Sequence, residues 1–182
     1  MSTNQSTESL PGIKLFDLTG RVAIITGGSK GLGLAMAEGL ASAGANVMLV
    51  SRTKEESEAS ADQIAREYGV KTASFSGDVT QEEDMKAMAK KAMDLFGRID
   101  VLINSAGINI RGAIDELSAE DFKKVMDVNV NGTWMACRAV TPFMKSAKRG
   151  SIINMASTLG LVGLSNRTPY ASSKGAIVQM PR

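Results

Sequence analysis

Histidine is absent from all 182 residues. That excludes a Ser-His-Asp triad, proton transfer through imidazole and the commonest protein metal ligand. The single cysteine, Cys137, excludes an internal disulfide and a cysteine-rich metal site. Its apolar neighbours suggest a small core residue. An excess of one charge is lacking too: 21 basic residues face 19 acidic ones, and no basic run exceeds two residues. No nucleic-acid partner is therefore expected. No apolar run approaches a membrane span, and the polar segment 1–12 has neither the basic start nor the apolar core of a signal peptide. That segment is expected to be a disordered leader, and the protein cytoplasmic. The acidic run Glu82-Glu83-Asp84 fits the first turn of a helix better than a metal cluster, so no metal is assigned.

A hydrophobic content of 43% with 22% charged residues is ample for one globular domain, expected over residues 13–182. Its organising stretch is 21–44. The β-branched run Val22-Ala-Ile-Ile-Thr26 reads as a buried strand. Gly27, Gly31 and Gly33 then permit a sharp turn, and Leu32, Ala35, Met36, Leu40 and Ala43 recur at helical spacing up to Gly44. A strand, a glycine turn and a helix place backbone N–H groups and a positive helix end where a phosphate can sit.

The rest of the chain repeats the alternation. Strands are expected at 45–50, 70–76, 99–104 and 151–157. Helices are expected from Thr53 (a Thr53-Lys-Glu-Glu56 capping box), from Thr80 (Thr80-Gln-Glu-Glu83), from Ser118 to about 147, and from about Thr168. Alternating strands and helices imply right-handed crossovers, hence one α/β domain with a doubly wound parallel sheet of Rossmann type. In such a sheet ligands bind beyond the carboxyl ends of the strands. The residues at those ends are the glycine turn, Arg52, Asp78, Asn104 to Gly107, and Ser157.

Arg52 follows the second strand, where a dinucleotide site often carries an acid that reads the ribose. A carboxylate there accepts from a 2′-hydroxyl and repels a 2′-phosphate; an arginine does the reverse. Lys30 in the glycine turn adds a second cation. The pair favours NADP(H), the alternative being two solvated surface cations. Asp78 and Val79 either border an adenine or cap a loop. Tyr170 and Lys174 lie four apart at a helix start and so share a face. An ordinary phenol has a pKa of about 10 and an adjacent ammonium stabilises its phenolate, although Tyr-x-x-x-Lys alone is a weak signal.

Together the motifs resemble a known family, the classical short-chain dehydrogenases/reductases, from about Leu15 to the end. They are Thr26-Gly-Gly-Ser-Lys-Gly-Leu-Gly33, Asp78, Asn104-Ser-Ala-Gly107, Asn129 in Asp-Val-Asn-Val, Ser157, and Tyr170-Ala-Ser-Ser-Lys174. The resemblance implies an NADP(H)-dependent oxidoreductase interconverting a carbonyl and a secondary alcohol. It implies that Gly27, Ser29, Lys30, Gly31, Leu32 and Gly33 bind the cofactor, with Arg52, Asp78, Val79, Asn104, Ala106 and Gly107. It implies that Tyr170 transfers the proton, Ser157 hydrogen-bonds the substrate oxygen, Lys174 tunes Tyr170 and holds the nicotinamide ribose, and Asn129 supports a water relay.

The usual Asn-Asn-Ala-Gly appears here as Asn104-Ser-Ala-Gly107, and the chain ends at Arg182, where family members continue into further strands and a substrate lid. A truncated product, with an exposed edge at 151–157, is the expectation. Arg111 and Arg167, with Asn109 and Asn166, should flank the pocket. They suit a small-molecule substrate such as a sugar acid, as in gluconate 5-dehydrogenase-like members; they could equally be solvated. A 3-oxoacyl-carrier-protein reductase or an inactive nucleotide-binding fragment are the alternatives. The family commonly forms homo-oligomers, dimers or tetramers, through the helix at 118–147 and the helix that bears Tyr170.

Overall fold

The structure, a computed structural model, describes residues 12–180. The expected leader lies outside them except for Gly12. After a short 3-10 turn at Ile13–Phe16, the chain runs β1 (Val22–Thr26), α1 (Gly31–Ser42), β2 (Asn46–Ser51), α2 (Lys54–Tyr68), β3 (Thr72–Ser76), α3 (Glu82–Phe96) and β4 (Val101–Asn104). It continues through α4 (Ala119–Met126), a wide π turn at Asp127–Asn131, α5 (Gly132–Ala147), β5 (Ser151–Asn154) and α6 (Thr168–Gln179).

All five strands are parallel, in the order β3-β2-β1-β4-β5. The chain therefore winds outward from β1 in one direction and from β4 in the other, as a doubly wound sheet must. Register brings Thr26 level with Val50 and Asn104, and Asn104 level with Asn154. The carboxyl ends of the three central strands thus form one ledge.

Side-chain alternation along β1 feeds two cores. Ala23 and Ile25 pack with Ala37, Ala41 and Ile64 of α1 and α2. Ile24 packs on the other face with Met85, Met88 and Ala92 of α3 and Val140 of α5. At the opposite end of the strands, Asp100 ties three segments together. Its carboxylate takes a two-pronged bond from Arg98 at 2.6 Å, the Val22 N–H at 2.9 Å, Arg21 at 3.3 Å and Arg149 at 3.5 Å.

Several local expectations change. The buried face of α1 is Gly33, Ala37 and Ala41, whereas Leu32 is 71% exposed and Ala35 faces outward. The helix lies so close to the turn that a Cβ on Gly33 would fall 2.2 Å from the Gly27 carbonyl, and only small residues fit that side. Thr80 does not cap α3, because Gln81 occupies the cap position. The Thr80 N–H and hydroxyl instead donate to Asp78 Oδ1 at 2.9 and 2.8 Å, a nearer acceptor that wins them. Thr53 holds the cap position of α2 but its side chain makes no cap bond.

Ser118 does form its box with Asp121, yet the helix it starts is broken by the π turn. β5 ends at Asn154, short of Ser157, since β4, its neighbour among the described residues, ends at Asn104. Cys137 is half-buried rather than core, its sulfur accepting from Asn104 Nδ2 at 3.3 Å. Burial pushes its thiol pKa up.

Candidate active site

The glycine turn is held by contact with the loop after β4. Gly27 has a φ of +67°, and a Cβ there would lie 2.9 Å from both the Ala106 Cα and N. The Ser105 N–H donates to the Thr26 carbonyl at 3.2 Å, and the Ala106 N–H to Thr26 Oγ1 at 3.3 Å. Two loops from distant parts of the sequence thereby become one surface. Lys30 takes the cap position of α1 with no side-chain cap bond, so the first-turn N–H groups are left for a ligand.

That surface lines a cleft of about 400 Å³ at the ledge. Of the candidate cofactor residues, Gly27, Ser29, Lys30, Leu32, Gly33, Arg52, Asp78, Val79, Ala106 and Gly107 line it. The exposure of Leu32, unexpected for a core position, puts its side chain on the cleft wall. Gly31 acts instead as the positive-φ entry to α1. Asn104 lies beneath the cleft, 3% exposed, its Nδ2 on Asn154 Oδ1 at 2.9 Å and its Oδ1 without a partner.

Arg52 stands at the end of β2 and also borders an adjoining hollow with Lys123 and Lys124. Asp78 is both wall and turn-maker: its N–H donates to Asp84 at 2.8 Å while its carboxylate serves Thr80. Val79 packs tightly on α5, where a Cβ on Gly132 would lie 2.6 Å from it. Of the acidic run, Glu82 pairs with Lys86 and Arg138, both at 3.0 Å.

Lys30 is not an isolated cation. Its ammonium lies 3.1 Å from the Glu56 carboxylate, which also accepts from Ser29 Oγ at 3.3 Å. Glu56 lines the cleft. Sequence reasoning placed it in a capping box and missed this, because the contact joins residues 26 apart in the chain.

The four candidate catalytic residues lie beyond the lining of that cleft, and side-chain bonds connect two of them, Asn129 and Tyr170, to its wall. Asn129 sits at the centre of the π turn, 1% exposed. Its Oδ1 accepts the Ile108 N–H at 2.8 Å, and its Nδ2 donates to the Ile108 carbonyl at 3.0 Å and to Ser173 Oγ at 2.9 Å. Ser173 in turn donates to the Tyr170 carbonyl at 2.7 Å. A continuous path thus runs from the cleft wall at Ile108 to the first turn of α6. Ser173 carried no expectation of its own, although it lies inside the quoted Tyr-Ala-Ser-Ser-Lys motif.

On α6 the Lys174 ammonium lies 5.6 Å from the Tyr170 ring centroid and donates to the Met155 carbonyl just past β5. Lys174 is only 7% exposed, and this desolvation pushes its pKa down. Ser157 starts a 3-10 turn, Thr158–Gly160, its Oγ accepting the Leu159 N–H at 3.2 Å. The turn is seated on α6: a Cβ on Gly160 would lie 2.6 Å from the Lys174 carbonyl. Backbone contact, not side-chain reach, therefore fixes Ser157 relative to the Tyr170 helix. Arg111 and Arg167 flank this region on loops joined by the Gly112 N–H donating to the Asn166 carbonyl at 3.4 Å.

Sheet order, glycine turn and ledge define a Rossmann-type α/β protein. Residues 21–182 match the family model for short chain dehydrogenase, and the chain belongs to that family. It is 39% identical over 165 residues to 2-(R)-hydroxypropyl-CoM dehydrogenase of Xanthobacter autotrophicus, covering 89% of this chain and 66% of that protein. It is 37% identical to D-threitol dehydrogenase of Mycolicibacterium smegmatis, covering 90% of this chain and 62% of the relative. To 2-dehydro-3-deoxy-D-gluconate 5-dehydrogenase of Formosa agariphila it is 33% identical, covering 91% and 62%. Among solved structures, NAD+-bound xylitol dehydrogenase superposes with a TM-score of 0.87 at 32% identity, covering 90% of this chain and 63% of that one. The chain thus spans between 62 and 66% of the length of these relatives.

Proposed function

We propose that this chain carries the cofactor cleft and the proton-transfer group of an NADP(H)-dependent oxidoreductase that interconverts a carbonyl and a secondary alcohol. The observation that carries this reading is the path from Ile108 through Asn129 and Ser173 to Tyr170, which joins the cleft wall to a tyrosine stacked near a buried ammonium. The residues present fit a dinucleotide. Gly27 and Gly33 permit close backbone approach, the N-terminus of α1 offers N–H groups to a pyrophosphate, and Asp78 and Val79 border an adenine. When bound, the nicotinamide supplies or accepts the hydride.

In reduction the Tyr170 phenol gives its proton to the substrate oxygen, and in oxidation it takes the hydroxyl proton. The Ser157 hydroxyl holds that oxygen, with its own lone pair already committed to the Leu159 N–H, so that its hydrogen points to substrate. Lys174 keeps a desolvated ammonium beside the phenol, where attraction to a developing phenolate is strong. Asn129 acts chiefly by position. Both its N–H groups serve protein oxygens, which leaves a lone pair of Oδ1 for a water relayed from Lys174.

Arg52 in the cleft supports the phosphorylated cofactor. Arg111 and Arg167, on their joined loops, support an anionic or polyhydroxylated substrate, and the sugar-acid and polyol relatives agree. Pairing with a second copy through α5 is supported by Trp134, half exposed with Arg138 stacked 5.3 Å above its ring.

Thermal unfolding of the purified chain tests this reading. A nucleotide at a hundred times its Kd stabilises by about 2.7 kcal/mol, which raises the Tm of a protein this size by roughly 5–10 °C. NADPH should give that rise, NADH a smaller one, and Tyr170→Phe should keep the rise while abolishing reduction of 5-ketogluconate. No rise with either nucleotide refutes the cleft; turnover surviving in Tyr170→Phe refutes the proton-transfer role.

A further inference from the structure

We propose that Glu56 sets the coenzyme preference of the cleft by holding Lys30 away from a 2′-phosphate. This rests on the NADP(H) reading above and goes beyond it. The end of β2 supplies Ser51 and Arg52 and no acid, which taken alone gives an unopposed preference for the phosphorylated dinucleotide. The structure brings a carboxylate to the cleft from another element. Glu56, in the first turn of α2, lies 3.1 Å from the Lys30 ammonium and accepts from Ser29 Oγ at 3.3 Å.

This arrangement is built into the loop. Ser29 is only 7% exposed; its hydroxyl also reaches Ser51 Oγ at 3.1 Å, and its carbonyl accepts from Ser60 Oγ at 2.9 Å. Three serines thus lock the glycine turn to β2 and α2 and present Ser29 to Glu56. The Thr53 N–H donates to Ser51 Oγ at 3.2 Å and its hydroxyl makes no cap bond, so Glu56 is not engaged in the reciprocal box that its spacing suggests. Lys30 itself remains 77% exposed along its side chain, within reach of an incoming anion.

A 2′-phosphate entering between Arg52 and Lys30 must take the ammonium from Glu56 and then sit beside a carboxylate of like charge. A 2′-hydroxyl meets no such opposition and can donate to Glu56. Glu56 therefore narrows the advantage that Arg52 and Lys30 give the phosphorylated cofactor, and NAD(H) is retained as a usable ligand.

Calorimetric titration with two adenosine-half probes, adenosine 2′,5′-bisphosphate and adenosine 5′-monophosphate, tests this without turnover. Glu56→Gln should tighten the bisphosphate about three- to tenfold and change the monophosphate less than about twofold. With Lys30→Met in the background, the gain from Glu56→Gln should shrink to the part that comes from relieving like-charge repulsion, since no ammonium remains to release. An unchanged ratio of the two affinities in Glu56→Gln overturns the proposal while leaving the cleft standing. A gain undiminished by Lys30→Met also overturns it, because Lys30 would then not be the group held. Wild-type protein that binds neither probe removes the nucleotide site itself, and Glu56's role with it.

Discussion

Asp100 shows how much one residue can hold. Burial alone pushes its carboxyl up, but the Arg98 fork, the Val22 N–H and the neighbouring arginines outweigh that and keep its pKa below the usual carboxylate range. Because the folded-state pKa is depressed, the stabilisation is present above the unfolded value near 3.9 and is lost as pH falls through the folded one. Asp100→Asn should therefore cost about 2–4 kcal/mol at pH 7. In urea unfolding the gap from wild type should narrow below about pH 4; a gap that stays constant down to pH 3 would show that the charge is not what matters.

Residues of this kind are poorly legible in a sequence. Asp100 stood near the start of an expected strand without distinction, because two of its arginine partners, Arg21 and Arg149, lie 79 and 49 residues away in the chain. Glu56 was misread for the same reason, its partner Lys30 lying 26 residues away, whereas Thr80 was taken by Asp78 only two residues before it. By contrast Ser118 behaves as its spacing predicts, since its partner Asp121 lies three residues on and nothing else competes.

At the scale of elements the periodicities served well. Strand and helix patterning placed all five strands and the helices in order, and α3 buries a stripe of Met85, Met88, Ala89 and Ala92 while Leu95 stays 53% exposed. Two things lay beyond that signal. The π turn around Asn129 leaves no mark on hydrophobic spacing, yet it aims the amide that joins Ile108 to Ser173. The seat of the Ser157 turn on α6 depends on a backbone-to-backbone approach that only a glycine permits. Gly160→Ala would push its methyl against the Lys174 carbonyl and should cost about 1–3 kcal/mol. If Ser157 holds the substrate oxygen as proposed, the same shift should loosen it, so kcat should fall by more than the loss of folded protein explains. A variant with wild-type Tm and kcat would mean the turn yields freely.

At the scale of the molecule, among the described residues, the sheet ends on β5 with one side unpaired. Ile152 and Ile153 are 37 and 43% exposed there, and Leu161, Val162 and Leu164 lie bare on the loop beyond. An apolar parallel edge is a template for pairing with other chains. In the 182-residue chain, Ile153→Lys should raise the soluble monomeric fraction in size-exclusion chromatography with light scattering, at little cost in Tm. Unchanged self-association would place the sticky surface elsewhere, on the Trp134 face of α5 for instance.

The Asp100 cluster and the cleft occupy opposite ends of the same strands. Five residues of β1 separate them by about 13 Å, beyond the range over which neighbouring substitutions usually interfere. β1, β4 and β5 are thus pinned at their roots by Asp100, and β1 and β4 border the cleft at their tips. Variation in the tip loops, which alters what is recognised, can accumulate without drawing on the anchorage that keeps the strands in register. Such a layout keeps recognition at one rim and structural integrity at the other, so that either can change with little effect on the other.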